Sequence, residues 1–140
     1  MRLYGGNQSD KEAYEVKLAW ETLTGERLDR EMYSYVYGVS DNHVKAMIVY
    51  CDYTGYSITV HMYAPRVLNR KLVQVGLMYP FQDLKVTKLY SEFSIKKDQT
   101  RRCLEGAGFR YEALIEDFYG EGEDKVIMVA TEKDITRWIK

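Results

Sequence analysis

Two histidines, two cysteines, 13 tyrosines, 21 carboxylates and 20 lysines and arginines are the groups in this 140-residue sequence that could move a proton or hold a charged ligand. His61 comes first, because an imidazole titrates nearest neutral pH and can act as a general base unaided. Glu92 is the second candidate base, and Tyr63 and Tyr90 can act as proton donors or as aromatic walls. His43, the only other histidine, falls in the polar run Ser40-Asp41-Asn42-His43, which reads as an exposed turn. Cys51 and Cys103 lie far apart, with no C-x-x-C spacing and no histidine cluster, so they read as buried free thiols and not as zinc ligands. A thiol enzyme needs a cysteine near a histidine, and Cys51 could approach His61 across a hairpin, but nothing else supports that chemistry. There is no G-x-x-x-x-G-K-[ST] phosphate loop, no G-x-S-x-G elbow and no G-x-G-x-x-G after a strand.

The elements that must position these residues can be read from periodicity. Ser9 with Glu12 three residues on predicts a capping box opening a helix from Asp10 to Leu23, whose apolar face is Ala13, Val16, Trp20 and Leu23. Thr24-Gly25 ends it. The period then changes to two over Tyr33 to Val39, Val44 to Tyr53 and Tyr56 to Tyr63, and the short connections between these segments predict an antiparallel meander. A helical pattern through Leu72, Val75 and Tyr79, with Asn69 as N-cap, stops at Pro80. Leu84 to Ile95 resumes strand character, with Leu89, Ser91, Phe93 and Ile95 on one side and Tyr90, Glu92 and Ser94 on the other. Strand, helix and strand in this order predict one right-handed βαβ crossover. A helix from Asp98 to Ala107 closes on Gly108, and Phe109 to Tyr119 and Lys125 to Thr131 form a last hairpin. The tail from Asp134 to Lys140 docks back through Ile135, Trp138 and Ile139. The fold class is therefore α+β (mixed α/β): a central, mostly antiparallel sheet with flanking helices.

That topology gives the cations a common place. Arg66, Arg70 and Lys71 follow one parallel strand, and Lys96, Lys97, Arg101 and Arg102 follow its neighbour, so both groups should converge on one edge of the sheet, where a phosphate-bearing ligand would be held. Over the whole chain the charges nearly cancel, at net −1, which argues against bulk attraction to nucleic acid. The length suits one domain over residues 1–140. No signal-like start and no stretch of roughly 20 apolar residues is present, so a cytoplasmic protein without a membrane span is expected.

Met78-Tyr79-Pro80-Phe81-Gln82-Asp83-Leu84, then a strand, then Thr100 to Leu104 and Glu105-Gly106-Ala107-Gly108-Phe109-Arg110-Tyr111-Glu112 resemble, in order, a pattern of Y-P-F-x-x-L, strand, N-x-x-S and L-E-K-x-G-F. In this the sequence resembles the GNAT superfamily of N-acetyltransferases, and in particular its short phage and prophage members. Met1-Arg2-Leu3-Tyr4 and the strands within residues 44–63 occupy the expected places, so the resemblance spans nearly the whole chain.

The resemblance implies an acetyl-CoA site between the fourth and fifth strands, which splay so that the pantetheine arm pairs with the exposed edge of the fourth. That edge ends at His61-Met62-Tyr63, and the fifth strand runs from Lys88 to Ile95. The pyrophosphate would meet the helix start near Asn69. Cofactor contacts are thus expected from Met62, Tyr63, Arg66, Asn69, Arg70, Lys71, Lys97 and Arg101, and acyl transfer from His61 or Glu92 as base with Tyr63 as donor. Arg66 matches the first position of the family's R/Q-x-x-G-x-G/A loop, whereas Asn69 and Lys71 replace its glycines. Lys97 and Thr100 replace the Asn and Ser of N-x-x-S, and Leu104 stands where many members carry the tyrosine that protonates the leaving thiolate.

Two functions follow. One is an acyl-CoA-dependent N-acyltransferase that acetylates a primary amine. The other is a catalytically inactive GNAT-shaped module that meets a host or virion protein through its tyrosine-rich surface, for the chain has 13 tyrosines against 4 phenylalanines.

Overall fold

The computed structural model describes residues 1–63 and 70–139, except for the side chains of residues 70, 73 and 136–139. One seven-stranded sheet runs in the order β1-β2-β3-β4-β5-β7-β6. Its strands are β1 (Arg2–Asn7), β2 (Met32–Ser40), β3 (His43–Cys51), β4 (Ser57–Tyr63), β5 (Lys88–Ser94), β6 (Arg110–Gly120) and β7 (Glu123–Ala130). All neighbours are antiparallel except β4 and β5. That parallel pair is the predicted crossover, and the mixed, mostly antiparallel sheet is the predicted class.

Helix α1 (Ala13–Thr24) covers one face. Its Ala13, Val16 and Trp20 are buried against Tyr35, Met47, Val49 and Cys51 of β2 and β3, and Gly25 closes it in the left-handed region at φ 72°. The start differs from expectation. Glu12 makes no cap, because its carboxylate accepts the hydroxyls of Tyr35 at 2.9 Å and Tyr37 at 3.2 Å instead. Ser9 donates to Asn7 at 2.5 Å and stays outside the helix. Two tyrosines from a distant strand thus outcompete a local cap, which is worth only about 1 kcal/mol.

The opposite face carries three helical segments. The first, α2, joins an α-turn at Arg70–Leu72, a π-helical stretch at Val73–Leu77 and an α-turn at Met78–Gln82. It runs through Pro80, against the sequence reading. Proline lacks the N–H that would reach the carbonyl four residues back. Here that carbonyl belongs to Gly76, and it accepts the buried Tyr50 hydroxyl. The expected N-cap Asn69 lies outside the described residues.

The second, α3 (Asp98–Ala107), has its predicted bounds and ends on Gly108 at φ 112°, where a Cβ would stand 2.6 Å from the Asp134 carbonyl. The third is α4 (Glu132–Ile139), at whose start the Asp134 carboxylate accepts both the N–H (2.9 Å) and the hydroxyl (3.0 Å) of Thr131. Leu72, Leu77, Leu104 and Ile135 from these helices are essentially fully buried against Ile58, Val60 and Leu89. Each contributes about 1.5–3 kcal/mol of apolar burial. Trp138 and Ile139, expected to dock with Ile135, lie outside the described side chains.

The strand β1 was not legible from periodicity. Two of its six residues are Gly5 and Gly6, and a Cβ on Gly6 would strike the Tyr35 hydroxyl and the Asp10 carboxylate. At the other edge β6 is exposed along nearly its whole length.

Candidate functional site

The parallel pairing of β4 with β5 lasts only three rungs, Ser57 with Lys88, Ile58 with Leu89 and Thr59 with Tyr90. Beyond them the strands separate: β4 continues with β3 alone and β5 with β7 alone. The Ser91 hydroxyl bridges the start of the gap, donating to the Val60 carbonyl at 2.8 Å.

A cavity of about 230 Å³ occupies this splay. Its lining takes residues from both faces of both strands: His61, Met62 and Tyr63 from β4, and Ser91, Glu92 and Phe93 from β5. Trp20, Leu23, Thr24 and Glu26 close it from the end of α1, and Lys97, Gln99, Thr100 and Cys103 from the start of α3. A larger cleft of about 610 Å³ lies between β1 and α2, but Asp83 is the only charged residue among its described lining.

His61 stands opposite Val49, so it faces the α1 side, edge-on to Trp20 at 6.2 Å between ring centroids. Its Nε2 is buried and, alone among buried side-chain polar atoms of the described residues, has no hydrogen-bond partner. Burial lowers its pKa from the usual 6.5, with Glu92 opposing, so the imidazole is neutral at pH 7. The site thus holds an uncharged imidazole with an unpartnered nitrogen, and the neutral form is the one that can accept a proton.

Glu92 is differently occupied. Its carboxylate is paired to Arg30 and, at 2.8 Å, to the buried Lys125, whose ammonium lies 4.0 Å over the Phe118 ring. Arg30 also binds Asp52. Its oxygens are taken up by two cations, and it stands as a fixed negative charge that opposes the lowering of the His61 pKa. Cys51 is diagonal to His61 across β3 and β4, but burial pushes its thiol up to about 12, so it offers no nucleophile.

The cations that sequence reasoning brought to one edge are individually engaged. Lys97 pairs with Glu26 at 2.9 Å, Lys96 with Glu123 at 3.4 Å, and Arg101 and Arg102 both with Asp98. Lys71 is exposed. Arg66 and Asn69, and the side chain of Arg70, lie outside the described residues. Leu104, at 1% exposure, belongs to the core and not to the cavity, whereas Thr100 and Cys103 of the same helix reach it. Met62 is buried in the core and Tyr63 is half-buried at the end of β4.

Trp20, Glu26, Arg30 and Lys125 were not foreseen as parts of the site. Trp20 read as a core residue, and nothing local marks a carboxylate after α1 or a lysine in β7 as facing β5.

A seven-stranded mixed sheet opened between β4 and β5, with a cavity in the opening, defines the fold of the GNAT acetyltransferases. Solved structures agree on that fold. The spermidine N-acetyltransferase SpeG of Vibrio cholerae, in a mutant form, superposes with a TM-score of 0.69 over 98% of this chain and 99% of its own, at 14% identity. The N-acetyltransferase PseH of Campylobacter jejuni, in complex with acetyl coenzyme A, gives 0.62 over 94% and 99%, also at 14% identity. A GNAT-family acetyltransferase of Bacillus anthracis gives 0.53 over 71% of this chain and 66% of its own, at 18% identity. No protein-family model matches the chain, and no curated protein matches it in sequence. Among the described residues no helix is long and apolar enough to cross a membrane, and no cluster of side chains could hold a metal ion.

Proposed function

We propose that the splay is an acyl-transfer site that moves an acetyl group from acetyl-CoA to a primary amine, with His61 as general base. The observation that carries this reading is the unpartnered, buried Nε2 of a neutral imidazole beside a cavity that opens where two strands part. A buried nitrogen left without a partner costs stability, and a catalytic role is one reason for such a cost to be kept.

The residues present suit an acyl-CoA. Past Thr59, β4 has no partner strand on its β5 side, which suits a linear amide arm laid along Met62 and Tyr63. Lys71 in the first turn of α2 and Arg101 in α3 are the described cations that would meet the phosphates; Arg66, Asn69 and the side chain of Arg70, expected to join them, lie outside the described residues. Bound acetyl-CoA supplies the acetyl group as a thioester. His61 takes the proton of the acceptor ammonium, directly or through a water. Glu92, locked between Arg30 and Lys125, keeps a negative charge nearby that favours the imidazolium formed in that transfer. Tyr63, at the mouth, has a hydroxyl that can donate to the departing sulfur.

The test is thermal unfolding and calorimetry with CoA and acetyl-CoA. A ligand at 100 times its Kd stabilises the fold by about 2.7 kcal/mol, a shift of several degrees for a domain of this size. Absence of any shift at millimolar CoA overturns the reading. The exposed aromatic and aliphatic side chains of β6, Tyr111, Ile115, Phe118 and Tyr119, favour a second reading, a protein-binding module on the GNAT scaffold like the phage-type proteins the sequence resembles. That reading predicts partner binding that persists in a His61→Gln variant.

A further inference from the structure

The cavity contains a primary amine of the protein's own. Lys97 is the only lysine among its described lining residues, and its ammonium lies 2.9 Å from Glu26, which lines the same cavity from the loop after α1. The pair therefore crosses the opening from the α3 wall to the α1 wall. Lys96 pairs with Glu123, and Lys125, which is not among the described lining residues, pairs with Glu92.

The base of Lys97 is fixed and its tip is not. Its N–H donates to the Ser94 carbonyl at 2.8 Å and its own carbonyl accepts from Arg101 at 3.1 Å, so the backbone is anchored as the residue preceding α3. The side chain is a flexible four-carbon stem, and both it and Glu26 are about half exposed, at 45% and 50%. An exposed single ion pair is worth at most about 1 kcal/mol, so the ammonium can leave Glu26 readily. Lys97 and His61 line the same cavity, and a tethered amine that shares a cavity with a base needs no second encounter to reach it, the condition that turns a bimolecular transfer into an intramolecular one.

We propose that Lys97 is itself an acetyl acceptor, a self-modification site that Glu26 holds off by keeping its ammonium paired. This rests on the acyl-CoA reading of the cavity. In the reaction the Lys97 ammonium gives one proton to His61, and the freed amine attacks the thioester carbonyl carbon. An N–C bond forms, the C–S bond breaks, and the electron pair leaves on sulfur. The nitrogen loses two protons in all, one ending on the CoA thiol and one in solvent. The product is a neutral amide that can no longer pair with Glu26, so a single acetylation opens the strap across the cavity.

The experiment uses the full chain with acetyl-CoA and no added amine. Binding is followed by calorimetry and acetylation by intact mass and peptide mapping over time. The expected result is one acetyl group on Lys97, absent in Lys97→Arg, faster by severalfold in Glu26→Gln, and slower by about 100-fold in His61→Gln, the lower end of a positioned base's contribution. A second readout needs no acetyl-CoA. In competitive labelling with acetic anhydride, Lys97 should react more slowly than Lys96 in the wild-type protein and at least as fast in Glu26→Gln. If acetyl-CoA binds but Lys97 stays unmodified, or if label spreads to Lys96 at the same rate regardless of His61, the inference is wrong while the acyl-CoA reading stands. Equal labelling of Lys96 and Lys97 in both proteins removes the gating role of Glu26. If acetyl-CoA does not bind at all, both fall together.

Discussion

The Tyr50 hydroxyl donates to the carbonyl of Gly76, four residues before Pro80, and so supplies from β3 the hydrogen bond that the proline cannot make within α2. Tyr50 is fully buried, and burial holds its hydroxyl protonated well above the usual tyrosine range, so the donor is permanent. Tyr50→Phe should lower unfolding free energy by about 1–3 kcal/mol in urea titrations, because the Gly76 carbonyl is left unpaired. Adding Pro80→Ala restores a local donor and should recover part of the loss. A double variant no more stable than Tyr50→Phe alone would mean that the hydroxyl does not stand in for the proline.

His61 makes stability depend on pH with a definite sign. Its folded-state pKa is lowered by burial, so the unfolded chain binds the proton more readily. The stability associated with the neutral imidazole is complete above the unfolded value near 6.5 and declines as pH falls from there toward the lower folded value. Denaturation midpoints measured from pH 8 to 5 should fall over that window in the wild-type protein and less in His61→Gln. Parallel curves for the two proteins would contradict the burial argument.

The Glu92 cluster predicts an asymmetric mutational response. Lys125→Met removes a nearly buried cation and leaves Glu92 with Arg30, so the cost should be about 2 kcal/mol, under the 3–5 expected when a buried charge loses its only partner. Adding Arg30→Met should cost more than the sum of the two single variants, a non-additivity that chemical denaturation can read. Strict additivity would show that the two cations do not share one carboxylate.

Ser91 spans the point where the strands part. Ser91→Ala removes its 2.8 Å bond to Val60 and should cost about 1 kcal/mol. It also frees a carbonyl on the edge of β4. If that edge receives the amide arm of CoA, the same variant should bind CoA at least as tightly as wild type by calorimetry. A weaker affinity would place the arm elsewhere.

The legible parts of this protein are those decided by neighbours in sequence. The helix Asp98–Ala107 and its glycine stop, the β2 to β4 meander and the crossover into β5 follow from period and turn chemistry over a few residues. What failed was decided at a distance. Glu12 left its local cap for Tyr35 and Tyr37, the helix passed Pro80 because of Tyr50, and Lys97 and Lys96 met Glu26 and Glu123. His61 and Glu92 were foreseen as candidates, but the double pairing that distinguishes Glu92 depends on Arg30 and Lys125, from opposite ends of the chain. No window of sequence contains that information.

Three backbone rungs and the Ser91 side chain join β4 to β5. Mechanically the sheet is two antiparallel blocks, β1 to β4 and β5 to β7, spot-welded along one short seam. Local opening concentrates where a ladder has fewest bonds, so amide exchange should be fastest in the unpaired lengths of β4 and β5 that flank the weld. A ligand lying in the gap would act as a stitch, and its arrival would slow exchange on both blocks together.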